Sequence, residues 1–144
     1  MLKILVPIDG SEQDSRVIAR LLGMMALYQE EVELHLLNVQ YPMPYGGRIS
    51  TIIGHDQIEK YHQEQGADAL KKARAALDAA KVAYKHHIVV GDPAETIIRF
   101  AGEQGCAQIF MGTQGMGAVS GMLLGSVASK VVHLSTIPVT LVRE

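Results

Sequence analysis

Leu2-Lys3-Ile4-Leu5-Val6-Pro7-Ile8-Asp9-Gly10-Ser11 is the stretch on which the fold turns. Its first seven residues are short, apolar and β-branched, and they stop at the turn-forming Asp9-Gly10-Ser11, which reads as a buried strand. From Ser11 to about Tyr28 the period changes. Val17, Leu21, Met24, Met25 and Tyr28 recur at i, i+4, i+7, i+8 and i+11, one face of an amphipathic helix that Ser11 or Ser15 could cap. Val32 to Val39 is aliphatic and β-branched again. The unit is therefore β-α-β, and a right-handed crossover makes its two strands parallel.

Beyond this unit the alternation continues. Residues 41–53 hold prolines and glycines without a sustained period and read as a loop, with a lid as one possible use. About Asp56 to Ala80 is rich in Ala, Lys, Glu and Gln, a long and thinly apolar helix with Ile58, Gln65, Ala69, Ala73, Leu77 and Ala80 along one side. Val82 to Val90 reads as a third strand ended by Gly91. Asp92-Pro93-Ala94-Glu95 then supplies a cap, a first-turn proline and an N3 carboxylate for a helix that Gly105 closes. Ala107 to Met111 is a fourth strand, about Ser126 to Ser135 a last helix, and Ile137 to Val142 a fifth strand. Five strands alternating with four helices give an α/β fold, a doubly wound parallel sheet with helices on both faces. The length of 144 residues suits one domain, 1–144.

Composition narrows the function. Hydrophobic residues are 48% and charged residues 19%, which excludes disorder and low complexity. With 13 Lys+Arg against 15 Asp+Glu the net charge is -2, so no overall field gathers nucleic acid or anionic lipid. Small anions stay possible, because backbone N–H groups hold phosphate without net charge. The single Cys106 cannot form an internal disulfide and reads as a small buried hydrophobe. No apolar run approaches the roughly 18 residues of a membrane helix, and the chain starts directly on a strand-like run, so a cytoplasmic protein is expected.

Glycine usage points to the chemistry. Of the 14 glycines, 8 lie between Gly91 and Gly125, and the densest run follows the fourth strand, from Gly112-Thr113-Gln114-Gly115-Met116-Gly117 to Gly125-Ser126. Glycines let bare backbone approach a ligand, and Ser126 opens a helix whose free N–H groups and dipole favour an anion. Any one of these glycines, taken singly, reads first as a plain turn residue. The run lacks the Gly-Lys-Ser/Thr of a Walker loop and the third glycine, at Ser120, of a dinucleotide fingerprint.

The spacing that does occur is Gly-x2-Gly-x9-Gly-Ser, at Gly112, Gly115, Gly125 and Ser126. With Val6-Pro7-Ile8-Asp9-Gly10-Ser11, Gly91-Asp92-Pro93-Ala94, Met111-Gly112-Thr113, Leu124-Gly125-Ser126-Val127-Ala128 and Pro138-Val139-Thr140-Leu141-Val142, it resembles the universal stress protein family, and in particular its ATP-binding branch. The likeness spans nearly the whole chain. It implies strand order 3-2-1-4-5 and a site for ATP or AMP, with Mg²⁺ at the phosphates. By the same resemblance Pro7, Ile8 and Asp9 lie on the ribose and adenine side, and Val39 meets the base. Met111, Gly112, Thr113, Gly115, Met116, Gly117, Gly125, Ser126, Val127 and Ala128 surround the phosphates. Read alone, Asp9 is a turn residue or a helix cap. Gln114 and Gln108 depart from the family pattern, which often has Arg and Asp there. Gln114 neutralises nothing, which leaves room for AMP or ADP, and Lys130 is either a compensating cation or a solvated lysine.

Other constellations carry less. His55 and His62 stand two helical turns apart with Glu59 between them, His86 and His87 point to opposite sides of a strand, and His35 and His133 stand alone as structural histidines. No Gly-x-Ser-x-Gly elbow surrounds a serine. The strand Ile137 to Val142 lies at a sheet edge under the implied order, so a homodimer through it is expected, although Pro138 removes one donor. The expected function is regulatory adenine-nucleotide binding in a stress response, acting through a protein partner or its own dimer. Fast turnover is not expected without a Walker lysine, arginine finger or base, whereas slow hydrolysis stays open. The rivals are an ATP-hydrolysing or adenylating enzyme of related fold and a nucleotide-free dimeric interaction module.

Overall fold

The computed structural model describes residues 1–42, 54–115 and 123–143. Its strands are β1 (Leu2–Pro7), β2 (Val32–Gln40), β3 (Tyr84–Val90), β4 (Gln108–Gly112) and β5 (Val139–Val142), and its helices α1 (Gln13–Met25), α2 (His55–Ala79), α3 (Pro93–Glu103) and α4 (Ser126–Leu134). All strand pairs are parallel in one sheet of order β3-β2-β1-β4-β5, as the alternation and the resemblance imply.

Side-chain alternation along the buried strands divides the core into two layers. Ile4 and Val6 of β1 and Leu34 and Leu36 of β2 face one way, against Val17, Ile18 and Leu21 of α1 and Leu70 and Leu77 of α2. Leu5 of β1 and Leu37 of β2 face the other way, with Ile109 and Met111 of β4, against Ile97 and Ala101 of α3 and Val131 of α4. Cys106 is buried in this second layer, as its composition suggests. Among the described residues no helix is long and apolar enough to cross a membrane.

Several local expectations need correction. Neither Ser11 nor Ser15 caps α1: the N-cap position is Glu12 and no side chain bonds there, while the Ser11 amide instead donates to Asp9 Oδ1 at 2.9 Å. The inward face of α2 is His62, Gly66, Leu70, Ala73 and Leu77, whereas Gln65 is exposed and Ala80 lies past the helix end. The reason is close packing: a Cβ on Gly66 would sit 2.5 Å from Ile88 Cγ2, so the helix approaches β3 through a glycine that apolar periodicity does not count. β3 begins at Tyr84, because Lys81 turns at φ 58 and Val82 N–H bonds back to Leu77 O. β5 begins at Val139, since Ser135 Oγ and the backbone of Ile137 close a turn before it. The start of α3 is as expected, with Asp92 Oδ2 accepting from Glu95 N–H at 3.1 Å and Pro93 in the first turn. From residue 43 the loop expected over 41–53 lies outside the described residues.

Candidate functional site

Winding reverses between β1 and β4, so the loops leaving these adjacent strands diverge and leave a crevice beyond their C-terminal ends. A cleft of about 520 Å³ occupies that position. Pro7, Ile8 and Asp9 form one wall with Gln13 and Asp14 of α1, and Met111 to Gly115 form the opposite wall. Gly125 and the first turn of α4, Ser126, Val127 and Ala128, close one end. Val39, at the end of β2, lies on the side where β2 and α3 contribute. The structure thus brings to one cleft every described residue singled out in the sequence for nucleotide contact. Met116 and Gly117 lie outside the described residues.

Asp9 is a turn residue, one of the readings its sequence context allows, and its carboxylate also faces the glycine-rich loop. Its Oδ1 accepts from Ser11 N–H, a turn-forming bond, while its Oδ2 lies so close under the opposite loop that a Cβ at Gly115 would collide with it. Glycine at 115 is what lets the loop pass over the carboxylate.

The amides of that loop are partly committed. Thr113 N–H bonds to Val142 O at 3.2 Å, Gln114 N–H to Gln13 Oε1 at 2.9 Å, and Gly125 N–H to Thr113 O. These bonds shape the loop and narrow the donor set. The remaining candidates are Gly115 N–H and the N–H groups of Ser126, Val127 and Ala128, which have no acceptor four residues back within α4. Among the described residues no side chain caps this helix, and its first turn, with the positive end of the dipole, lines the cleft.

Asp14 is the member of the site that sequence reasoning missed. It is 7% exposed, lines the cleft and accepts from Gly10 N–H through Oδ2 at 2.8 Å. Burial, with the charge of Asp9 beside it, pushes its carboxyl from the ordinary 3.8 up to about 7. The bonds from the Gly10 and Asp9 amides act in the opposite direction and are outweighed. The signal was present: Asp14 stands at i−3 and i−7 from Val17 and Leu21, a carboxylate on an apolar stripe. Asn38 was also missed. It is 3% exposed, donates to Ile8 O at 2.9 Å and accepts from Gln40 Nε2 at 2.7 Å, tying β2 to the end of β1 where the cleft begins. An amide inside the apolar run Leu34 to Val39 marked it.

Two side chains set aside in the sequence have definite partners. Lys130 lies 3.5 Å from both Asp92 and Glu95, and it is absent from the cleft lining, so it compensates for nothing there. Asp92, and after it Glu95, hold its ammonium above the usual lysine value. His35 does not stand alone. Its Nε2 lies 3.1 Å from Glu33 Oε2 and its Nδ1 2.9 Å from His87 Nε2, on the α3 side of the sheet. A ring nitrogen facing a carboxylate donates, so in the neutral ring Nδ1 accepts from His87.

Comparison with known proteins gives one consistent family. The model of the "Universal stress protein family" matches residues 1–143. The universal stress protein YxiE of Bacillus subtilis is 29% identical, the match covering 98% of this chain and 98% of that protein. The solved structure of MJ0577, a universal stress protein of Methanocaldococcus jannaschii, superposes with a TM-score of 0.82 at 26% identity, over 99% of this chain and 96% of that one. A universal stress protein family member from Arabidopsis thaliana, solved with AMP bound, has a TM-score of 0.69 at 16% identity, over 100% of this chain and 92% of that one, a likeness of fold.

Proposed function

This chain belongs to the universal stress protein family, and on that premise we propose that it binds an adenine nucleotide, ATP or AMP, in the cleft between β1 and β4, as a regulatory protein of a stress response. The observation that carries the reading is the pairing of Asp9 with the uncapped start of α4 across one cleft of about 520 Å³. A carboxylate accepts from ribose hydroxyls, and helix N–H groups donate to a phosphate. Val39, with Ile8 and Met111, supplies apolar surface for the base. The AMP-bound Arabidopsis relative supports the same ligand class.

Binding rather than fast turnover belongs to the proposal. Phosphoryl transfer needs positive charge on the transferring group, and the described lining of the cleft holds no Lys or Arg. Among the described residues no three His, Cys, Asp or Glu side chains gather for a metal ion, so magnesium enters this reading only as a companion of the nucleotide's phosphates. A cytoplasmic location and a homodimer through β5 complete it, the latter because β5 is the edge strand beside β4.

Calorimetric titration with ATP, ADP and AMP tests the core of the proposal. Gly115→Val displaces either Asp9 or the loop, and the affinity should fall at least tenfold with the far-ultraviolet spectrum unchanged. A Gly115→Val protein that binds as well as the wild type sinks it. Sedimentation of the purified chain tests the dimer.

A further inference from the structure

Every ionisable side chain in the described lining of the cleft, apart from the phenol Tyr41, is acidic: Asp9 and Asp14 line it, and no Lys, Arg or His does. Segment 116–122, Met-Gly-Ala-Val-Ser-Gly-Met, adds no charge by its sequence, and Arg48 falls in 43–53, outside the described residues. What attracts a phosphate here is the partial charge of a helix end, roughly half a unit, and neutral amides. One phosphate can be held this way. Each further phosphate adds a full negative charge to a cleft whose wall already holds two carboxyl groups.

Those two groups cannot turn away. Ser11 N–H holds Asp9 Oδ1 at 2.9 Å and Gly10 N–H holds Asp14 Oδ2 at 2.8 Å, so consecutive amides of one turn fix both carboxyls at the cleft wall. We propose that the cleft selects its adenine ligand by charge, taking a monophosphate ahead of a triphosphate, with Asp14 beside Asp9 as the specificity-determining residue. This inference rests on the nucleotide reading above and adds to it the charge state of the ligand.

Asp14 makes the preference adjustable. When protonated, it can donate to Asp9, and the wall carries one negative charge; when ionised, the wall carries two. At about 10 Å and an effective dielectric near 20, one added pair of unit charges changes affinity roughly tenfold. Among the described residues the groups facing Asp14 are few. Asp9 is on the same turn, neutral Gln13 stands beside Asp14 on α1 and accepts from neutral Gln114 of the opposite loop, and α2 brings Ala69 against Gly10. Glu12 and Arg16 of α1 are exposed, and Asp92, Glu95 and Lys130 form their own network at the α3–α4 rim.

The test is calorimetric titration of the full chain with adenosine, AMP, ADP and ATP in magnesium-free buffer at pH 6 and pH 8, for wild type and Asp14→Asn. At pH 8 the wild type should prefer AMP over ATP by about tenfold or more, with the margin narrowing severalfold at pH 6. In Asp14→Asn the margin should be narrow at both pH values, and added magnesium should raise ATP affinity more than AMP affinity. ATP binding as tightly as AMP to the wild type at pH 8, or an AMP-to-ATP margin unchanged by Asp14→Asn, overturns the inference and leaves nucleotide binding standing. If no adenine compound binds at either pH, the nucleotide reading falls and this one falls with it. The pH comparison on the unsubstituted chain carries the test without relying on the variant's folding.

Discussion

Replacing Asp14 by asparagine should stabilise the ligand-free protein at high pH and leave it nearly unchanged at low pH. The fold raises this carboxyl from 3.8 to about 7, chiefly by burial and then by Asp9. Between those values the folded chain keeps a proton that the unfolded chain has released, so stability falls as pH rises, by about 1.4 kcal/mol per unit. Across a window of roughly three units, the loss is at most about 4 kcal/mol. Asparagine keeps an oxygen to accept from Gly10 N–H and carries no charge. Urea unfolding followed by circular dichroism from pH 4.5 to 8.5 should give a wild-type curve that declines toward pH 7 and an Asp14→Asn curve without that decline. The two should separate by about 2–4 kcal/mol at pH 8. Parallel curves, or a variant less stable than wild type at pH 8, would refute the reasoning that Asp14 is buried at a cost.

His87, whose imidazole is held below its ordinary 6.5 first by burial and then by His35, should make the protein lose stability as pH falls below that value. The unfolded chain binds the proton first, and His87→Gln should flatten the decline between unfolding curves at pH 7 and pH 5. Gly66→Ala gains about 1 kcal/mol of helix propensity but forces a methyl against Ile88, so a net loss of roughly 1–3 kcal/mol is expected. A double-mutant cycle with Ile88→Ala checks the collision, since additive losses would mean the two residues do not compete for space. Asp92→Ala removes the cap of α3 and should cost about 1 kcal/mol. That cost should persist in high salt, because the exposed pair with Lys130 contributes little.

The site was legible in proportion to how local its signals are. The glycine-rich turn with Gly115 and the helix start at Ser126 were identifiable because close backbone approaches and helix starts demand particular residues within a few positions. Asp9, locally only a turn residue or cap, was placed in the site by the family resemblance. Asp14 and Asn38 were not singled out, although each is a polar residue inside an apolar pattern. Their roles depend on burial and on partners in other segments, such as Ile8 O for Asn38. Lys130 shows the same limit in reverse. Its position one turn into α4 suggested a phosphate contact, but Asp92 and Glu95, far away in sequence, decide where the ammonium points.

Residue periodicity alone determined that strands alternate with helices, because hydrophobic spacing of two or of three to four is a property of the chain's own geometry. It also determined where the glycine-rich turn follows a strand. Only the tertiary structure decided which amides of that turn are already bonded, which face of α2 packs through Gly66, and that Asp9 and Asp14 share one wall of the cleft. Desolvation, shared charge and competition for hydrogen bonds arise between segments distant in sequence, and they take definite values only when the sheet has brought those segments together.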